Sequence, residues 1–187
     1  MPLASSETLA KSAGDMYLAP VGTAVPAFDG LDDTALTAGS WVHAGWLGED
    51  GPSLSGFEGD SEKLYAWNRS VPMRSIVRVT EPMVEVPLLQ WNVENLSLYF
   101  PGATHTPLEE RLTIPSSTTI TEKALLIVVR DGTAQEVGLW LAKTSPRGGG
   151  SIEFPGDGTS EIPITFDVLS PDTGEFFNIV GVDVAAA

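Results

Sequence analysis

Three strand-like runs that lead directly into a short helix-like run constrain the fold of this chain most. In the third run Val84, Val86 and Leu88 lie on one face, because successive side chains of a strand point to opposite sides. A strand with one apolar face must pack that face against another layer of the protein. The three runs are Leu64–Trp67, Arg74–Val79 and Met83–Leu89.

The segment that follows these strands predicts a helix near residues 93–100. Asn92 is a residue type that caps the first turn of a helix, and Gly102 is one that ends a helix. Because the apolar side of such a helix has to be hidden from water, we expect it to pack back on the sheet. The side chains that we expect to be buried there are Leu96, Tyr99 and Phe100.

Strand patterns dominate the rest of the chain. Ala124–Val129 contains only apolar residues, which predicts a strand covered on both faces. Asp131-Gly132 is a hairpin-turn signal that joins this strand to a return strand at Gln135–Lys143. We therefore predict a mainly β fold, a β-sandwich or half-barrel with one flanking short helix and long loops. The further predicted strands are Asp15–Pro20, Trp41–Leu47, Arg111–Ile114, Glu122–Arg130, Ser151–Phe154, Glu161–Leu169 and Phe176–Val184, and a flexible tip is predicted at Arg147–Gly150.

The length of 187 residues fits one domain, which we place at residues 15–187 behind a flexible arm at residues 1–14. Two segments rich in turn residues, near 21–40 and 48–59, are predicted to be long loops. Loops of that length in a compact domain are usually functional, disordered or bound to a neighbour. We expect them to contact other subunits, and the candidate contact residues are Asp29, Asp32, Asp33, Glu49 and Asp50.

The chain is strongly acidic, with 25 Asp and Glu residues against 10 Lys and Arg residues and a net charge of −15. This balance argues against a sequence-independent grip on nucleic acid, which needs lysine and arginine against phosphate. It indicates either simple solubility or a surface that repels DNA. Acids dominate up to Glu62, whereas Lys63–Thr80 holds four bases and no acid. These two segments pair within the fold, pair between subunits, or are both solvated.

No motif in the sequence assigns an enzymatic reaction or a cofactor. Nucleophile elbows, phosphate-binding loops and dinucleotide glycine patterns are absent. His43 and His105 have no partners at ligand spacing and there is no cysteine, so neither a zinc site nor a disulfide is expected. No secretory signal or membrane-spanning run is recognisable, so we expect a soluble protein, made in a cytoplasm, without a membrane partner.

The order and spacing of the elements resemble those of the tail tube (major tail) proteins of long-tailed bacteriophages, over roughly residues 14–184. The resemblance rests on the Trp-containing strand Trp41–Leu47, a Glu-rich connection and a second Trp strand that ends at Ala66-Trp67. A long basic-then-apolar strand and a helix that opens with Asn92–Leu96 complete it. The inner tubes of contractile tails and of secretion apparatuses are similar in fold and stay an open alternative within this class.

The resemblance implies a structural virion protein whose subunits stack as six-fold rings into a hollow tail tube. Such a tube belongs to the virion tail, is assembled in the host cytoplasm and conducts viral double-stranded DNA during ejection. Its partners would be further copies of itself and the tape measure, tail terminator and tail tip proteins. The role would be passive, without catalysis, metal or cofactor.

A tube that conducts DNA must avoid binding it, and carboxylates repel phosphates in a narrow channel. We therefore predict that acids on or beside the central strands line the bore; the alternative is that they lie outside and serve solubility. Alternation along a strand places residues 58, 60 and 62 on one face, and residues 81 and 85 together if Pro82 does not break that strand. The candidates are Glu58, Asp60, Glu62, Glu81 and Glu85, with Glu153 and Asp157 as second choices.

Two other classes of function stay open from the sequence. The five tryptophans are residues typical of cores and interfaces, but exposed ones would suit a carbohydrate-binding or capsid-decorating β-sandwich. The third hypothesis is an enzyme that uses a pair of acids as acid and base. So acidic a chain offers many such pairs, and no spacing singles one out.

Overall fold

The computed structural model of the protein describes residues 13–24, 31, 33–68, 70–78, 81–131, 135–171 and 177–181. Strands dominate these residues, and the prediction of a mainly β fold is confirmed. The helices are α1 (Asp33–Ala38) and α2 (Val93–Tyr99), and a 3-10 helix spans Pro107–Glu109. The strands are β1 (Ala13–Pro20), β2 (Val42–His43), β3 (Ser53–Ser55), β4 (Asp60–Tyr65), β5 (Pro72–Arg78), β6 (Met83–Leu88), β7 (Thr104–Thr106), β8 (Arg111–Thr113), β9 (Lys123–Asp131), β10 (Gln135–Gly148), β11 (Ile162–Val168) and β12 (Phe177–Val180).

Eight strands form one antiparallel sheet in the order β2-β1-β9-β10-β11-β6-β3, with β12 also beside β10. Strand β10 is long enough to pair with β9 along one edge, and with β12 and then β11 along the other. Its register against β9 shifts between Leu141 and Thr144. Such a bulge bends a strand and increases its twist, so the sheet bends at this point of β10.

One continuous segment, residues 42–48, joins the two ends of this sheet. Strand β2 pairs with β1, and the Ala44 amide donates to the Met16 carbonyl oxygen over 2.8 Å. Farther along, Leu47 forms a bridge to Leu88 of β6. The predicted strand Trp41–Leu47 is therefore a short strand and a single bridge, because it crosses from one edge of the sheet to the other. The sheet curls into a barrel-like layer around its core.

Strand β9 separates two apolar clusters. Leu125 and Ile127 face the inner cluster, which β6 and β11 complete with Val84, Ile164 and Phe166. On the opposite face of β9 lies an outer cluster with Ala124, Leu126, Val128 and Trp140. The prediction that this strand is covered on both faces is confirmed.

Residues 31 and 33–41 cover the outer face of the sheet. Leu31, Leu36 and Trp41 are buried in the outer cluster. Gly138 of β10 permits this approach, since a Cβ there would lie 3.2 Å from Leu31 Cδ2. The segment near 21–40, predicted to be a loop, thus contains α1, and its described second half packs on its own subunit. The segment was predicted to be a loop because glycine, alanine and acidic residues dominate it, although its few apolar residues are the ones that pack on the sheet.

Helix α2 packs against the inner cluster. As predicted, Asn92 caps it, because its side-chain oxygen accepts from the Asn95 amide over 2.7 Å. Leu96 and Tyr99 pack against the cluster while half-buried, and Phe100 is half-buried beside the Tyr99 ring. The buried helix residues are Asn95 and Leu98, which the sequence analysis did not single out.

Several boundaries differ from the sequence-based expectations. Strand β10 continues through Arg147 to Gly148, because β11 pairs with it there, so that part of the predicted flexible tip is strand. Residues 151–155, predicted to contain a strand, have no strand structure. The predicted loop near 48–59 includes β3, which pairs with β6. Of the predicted arm, residues 1–12 lie outside the described residues, and Ala13 and Gly14 belong to β1.

Candidate assembly surfaces

Strands β4 and β5 form a two-stranded hairpin that, among the described residues, makes no strand pairing with the large sheet. We call residues 60–78 the β4–β5 hairpin. Its register places Glu62 opposite Ile76 and Leu64 opposite Arg74, with a bulge before Tyr65. A two-stranded hairpin without a covering layer is marginally stable in water. This hairpin therefore depends on what packs against it.

The β4–β5 hairpin exposes large apolar side chains near its turn. Trp67 is fully exposed, and Val71 and Met73 each expose about 70% of their surface (71% and 70%). Tyr65 and Leu64 are also exposed. Single exposed apolar residues are normal on a protein surface, but a cluster of them marks an interaction site.

The β4–β5 hairpin is also basic on an acidic protein. It contains four bases and two acids, a net charge of +2, so the remaining residues hold six bases and 23 acids, a net charge of −17. No ion pair to Lys63 or Arg74 occurs among the side chains that the structure describes. Pairing of this basic segment within the fold is thus not seen in the described part of the chain.

A cavity of about 610 Å³ opens on another part of the surface, which we call the apolar groove. Strands β1 and β2, helix α2, and residues around Pro101, Thr121 and Pro146 line it. Leu98 is buried at this cavity, whereas Val42 leaves 58% of its surface exposed. Such a concave, mainly apolar surface is suited to accept an apolar group.

A polar cluster fastens the α1 segment to the sheet; we call it the polar latch, formed by Asp15, Tyr17, Asp33 and Arg130. Arg130 forms an ion pair with Asp15, and its Nη2 donates to the Leu31 carbonyl oxygen over 3.0 Å. Tyr17 donates its hydroxyl to Asp33 Oδ1 over 3.3 Å. These bonds tie Leu31 to β9 and Asp33 to β1.

The environment of the polar latch shifts two pKa values. Burial raises the pKa of Tyr17 above its ordinary value of 10.0, because an ionised phenolate would be poorly solvated there. Burial alone would lower the pKa of Arg130. Hydrogen bonds with Tyr17, Asp15 and Glu136 outweigh burial and raise the pKa of Arg130.

His43 supports the latch from β2. The Gly45 amide donates to His43 Nδ1 over 2.8 Å, so the proton of the neutral ring is on Nε2. Nε2 lies 3.1 Å from Asp15 Oδ1 and donates to it. The histidine therefore has a structural role in orienting Asp15.

The acids predicted to line a bore are spread over three parts of the surface. Glu62 lies on β4, Glu85 on β6, and Glu153 and Asp157 in the segment before β11; all four are exposed. Glu58 is exposed just before β4, and Asp60 begins that strand opposite Arg78. Glu81 is exposed, but its φ of +48° and the start of β6 at Met83 show that it does not continue that strand.

The register of β4 against β5 determines which side chains share a face with Glu62. Residues directly opposite each other in an antiparallel pair project to the same face. Arg74 lies opposite Leu64, and Glu62 shares the face of Leu64 by alternation. The face of β4 that carries Glu62 therefore also carries Arg74, and it is not a purely acidic stripe.

The residues predicted to contact other subunits lie in different environments. Asp33 starts α1 and accepts a hydrogen bond from Tyr17 of its own chain. Glu49 and Asp50 are exposed in a turn that the Gly51 amide closes to the Gly48 carbonyl oxygen over 3.0 Å. Asp29 and Asp32 lie outside the described residues.

The sequence analysis missed the apolar groove and the polar latch. The groove is lined by residues from five separate parts of the chain, and no local sequence pattern predicts such a surface. The latch joins Asp15 to Arg130, which are 115 positions apart in the sequence. Its one local signal is the lone Arg130 at the end of the apolar run of β9.

Comparison with known proteins defines the class to which this mainly β chain belongs. A family model described as phage tail tube protein matches residues 1–187, the whole chain. The protein therefore belongs to the phage tail tube protein family, as the order of its elements predicted. No curated protein matched the sequence.

Family membership makes this protein a structural component of a virion tail, and it favours a role other than catalysis. It also implies that the protein assembles into a tube and contacts other tail proteins. Among the described residues no group of three or more acids, histidines or cysteines could hold a metal ion. No helix in that part of the chain is long and apolar enough to cross a membrane.

Proposed function

We propose that this protein assembles into stacked six-membered rings that form the hollow tail tube and conduct viral DNA into the host. The exposed apolar cluster of the β4–β5 hairpin is the observation that carries this proposal. A secreted or cytosolic monomer has no reason to keep Trp67, Val71 and Met73 in water, since their burial in an interface is strongly favourable. Family membership supports the tube as the assembled form.

The curled sheet suits a ring subunit. Its interior is already filled by the inner cluster of its own side chains, so a bore has to form between subunits and not within one. Exposed strand edges are sites where another chain can add by backbone pairing. The β4–β5 hairpin and β3 supply such edges, and six subunits that pair through them would surround a central channel.

The charge balance supports passage of DNA without binding. A net charge of −15 per subunit multiplies along a tube, and a narrow channel focuses the field of its wall. We propose that exposed acids, with Glu58, Glu62, Glu81, Glu85, Glu153 and Asp157 as the candidates, contribute to a negative bore. Because Arg74 shares the face of Glu62, we expect β6 and the segment before β11 to contribute more than the hairpin.

The direct test is to concentrate the purified protein and examine it by sedimentation velocity and negative-stain electron microscopy. We expect rings or tubes with a central channel, and a six-fold rotational symmetry in averaged end views. A protein that stays monomeric at every concentration, also in the presence of a tail tip complex as a nucleus, would contradict the proposal. A tube whose bore has a neutral or positive surface potential would contradict only the electrostatic part.

In the assembled tail we propose the tape measure, tail terminator and tail tip proteins as partners, with assembly in the host cytoplasm. A second candidate function, carbohydrate binding, is favoured by the exposed indoles of Trp46 and Trp67. Titration calorimetry with a glycan panel separates the two functions. Binding of a glycan by a protein that never assembles would favour the carbohydrate-binding module.

A further inference from the structure

We infer that the tip of the β4–β5 hairpin of one subunit inserts Trp67 into the apolar groove of a second copy of this chain. This inference rests on the proposed function and specifies which two surfaces meet when subunits join. The hairpin projects apolar side chains that nothing in its own described chain covers. The groove offers a concave surface with an exposed apolar rim at Val42.

Size and shape favour this match. The groove has a volume of about 610 Å³, within the roughly 300–1,000 Å³ of pockets that enclose ligand-sized groups. An indole ring needs only part of that volume, which leaves space for a neighbouring side chain such as Val71 or Met73. Val93, Pro101 and Pro146 line the groove with rigid or branched apolar surface. A large aromatic residue in such a pocket is the usual anchor of a protein interface.

The distribution of charge favours another copy of this chain as the molecule that binds in the apolar groove. The β4–β5 hairpin carries a net charge of +2, whereas the rest of each subunit carries −17. Two hairpins that met each other would bring Lys63 and Arg74 close to their own copies, and like charges repel across an interface. A hairpin that docks on the body of a neighbour instead meets a surface with a net charge of −17, although the groove lining itself contains one acid, Glu94, and one base, Lys123.

A contact between two different surfaces has a consequence for assembly. Each subunit presents both a hairpin and a groove, so the contact is heterologous and each addition leaves both surfaces available at the ends. Such contacts close into rings or continue as filaments, in contrast to a two-fold contact, which stops at a dimer. A heterologous contact between the β4–β5 hairpin and the apolar groove therefore suits a protein that has to build a tube.

The absence of cysteine from the chain allows a direct test by disulfide trapping. Ser70→Cys places a thiol in the hairpin turn next to the apolar tip, and Thr121→Cys places one in the lining of the groove. Both residues are exposed, and the two single variants are mixed in equal amounts under mild oxidation during assembly. We expect a cross-linked dimer in the mixture and none with either variant alone. Thr159→Cys, exposed in the segment before β11 and outside the groove lining, replaces Thr121→Cys in the control mixture and should give no Ser70 cross-link.

A second variant pair measures the strength of the contact. Trp67→Ala should raise the concentration needed for half-maximal assembly by about 10-fold or more, as expected for the loss of an aromatic anchor. Trp46→Ala is the matched control, because Trp46 is also exposed but lies outside the hairpin. It should change that concentration less than about 3-fold.

The outcomes separate this inference from the proposed function. Normal tubes together with no Ser70–Thr121 cross-link, or with Trp67→Ala assembling like the unchanged protein, would overturn the inference and leave the tube intact. Cross-linking of Ser70→Cys to itself would show that hairpins meet hairpins, which also overturns it. If Trp67→Ala and Arg74→Gln reduce retention of duplex DNA on a filter but leave assembly unchanged, the hairpin contacts nucleic acid and the inference is wrong. A protein that never assembles would reject the proposed function itself.

Discussion

Strand β9 and the β4–β5 hairpin are both antiparallel β structure, but they differ in what surrounds them. β9 has one face on the inner cluster and the other on the outer cluster, so that Leu125 and Leu126 are both fully buried. The hairpin has no covering layer in the described part of its own chain, and it exposes Trp67 and Met73. A subunit thus contains one region whose folding is complete and one region that another molecule has to complete.

This difference separates stability from assembly. Burial of apolar surface in β9 and its neighbours stabilises the monomer, and it is available to each subunit at any concentration. The apolar surface of the β4–β5 hairpin can contribute only after association, so its stabilising effect depends on protein concentration. Mutations in the two regions should therefore have different phenotypes.

The largest expected contrast is in backbone hydrogen exchange. In dilute monomer, amides of β9 and β11 should exchange only on global unfolding, which requires about 5–15 kcal/mol for a typical domain. Amides of the β4–β5 hairpin should open locally at a cost near zero to about 2 kcal/mol, because no layer covers them. Exchange measured by mass spectrometry at several concentrations tests this contrast. Hairpin amides that are as protected as β9 amides in the monomer would show that the hairpin is stable without a partner.

A smaller contrast is expected from two truncations of the same chemistry. Leu125→Ala should lower the free energy of unfolding by about 2–5 kcal/mol, because it leaves a cavity in the inner cluster. Leu64→Ala, in the exposed hairpin, should change it by no more than about 0.5 kcal/mol. Urea unfolding of the dilute protein measures both values. Equal destabilisation by the two variants would mean that the hairpin belongs to the cooperative core.

The smallest effect concerns the polar latch and depends on pH. Tyr17→Phe should cost about 0.5–1.5 kcal/mol near neutral pH, because it removes the hydrogen bond to Asp33. Burial raises the pKa of Tyr17 above 10.0, so the folded protein keeps a neutral phenol where the unfolded chain ionises. This contribution is present below about pH 10 and is lost as pH rises through the folded pKa.

Stability of the unchanged protein should therefore fall more steeply than that of Tyr17→Phe between about pH 9 and pH 11. Thermal unfolding over that range is the measurement, and Tyr65→Phe is the matched control because Tyr65 is exposed. Parallel pH profiles for the unchanged protein and Tyr17→Phe would show that ionisation of Tyr17 is not linked to folding.

The α1 segment shows why a plausible prediction about a loop needs the structure. The expectation that residues 21–40 reach a neighbouring subunit stays a prediction, but Leu31 and Leu36 in their described part are buried on their own sheet, together with Trp41 just after them. Deleting this segment would expose the outer cluster of β9 and β10. A loss of assembly after such a deletion would then reflect damage to the subunit, and not the loss of a subunit contact.

Local patterns in the sequence were sufficient to locate several strands and to show which of their side chains share an apolar face. The alternation of Val84, Val86 and Leu88 and the apolar run Ala124–Val129 both correspond to buried strands. The Asn92 cap also follows from sequence, because it involves only neighbouring residues. The order of such elements over roughly residues 14–184 predicted the family, and the family model that matches residues 1–187 confirmed it.

Only the tertiary structure decided what covers each face. Strands β5 and β6 both contain several apolar residues, and the difference between them lies in whether a distant segment packs on them. The apolar groove and the ion pair of Asp15 with Arg130 likewise join residues that are far apart in the sequence. Alternation specifies which side chains share a face, whereas the partner of that face depends on how the entire sheet curls.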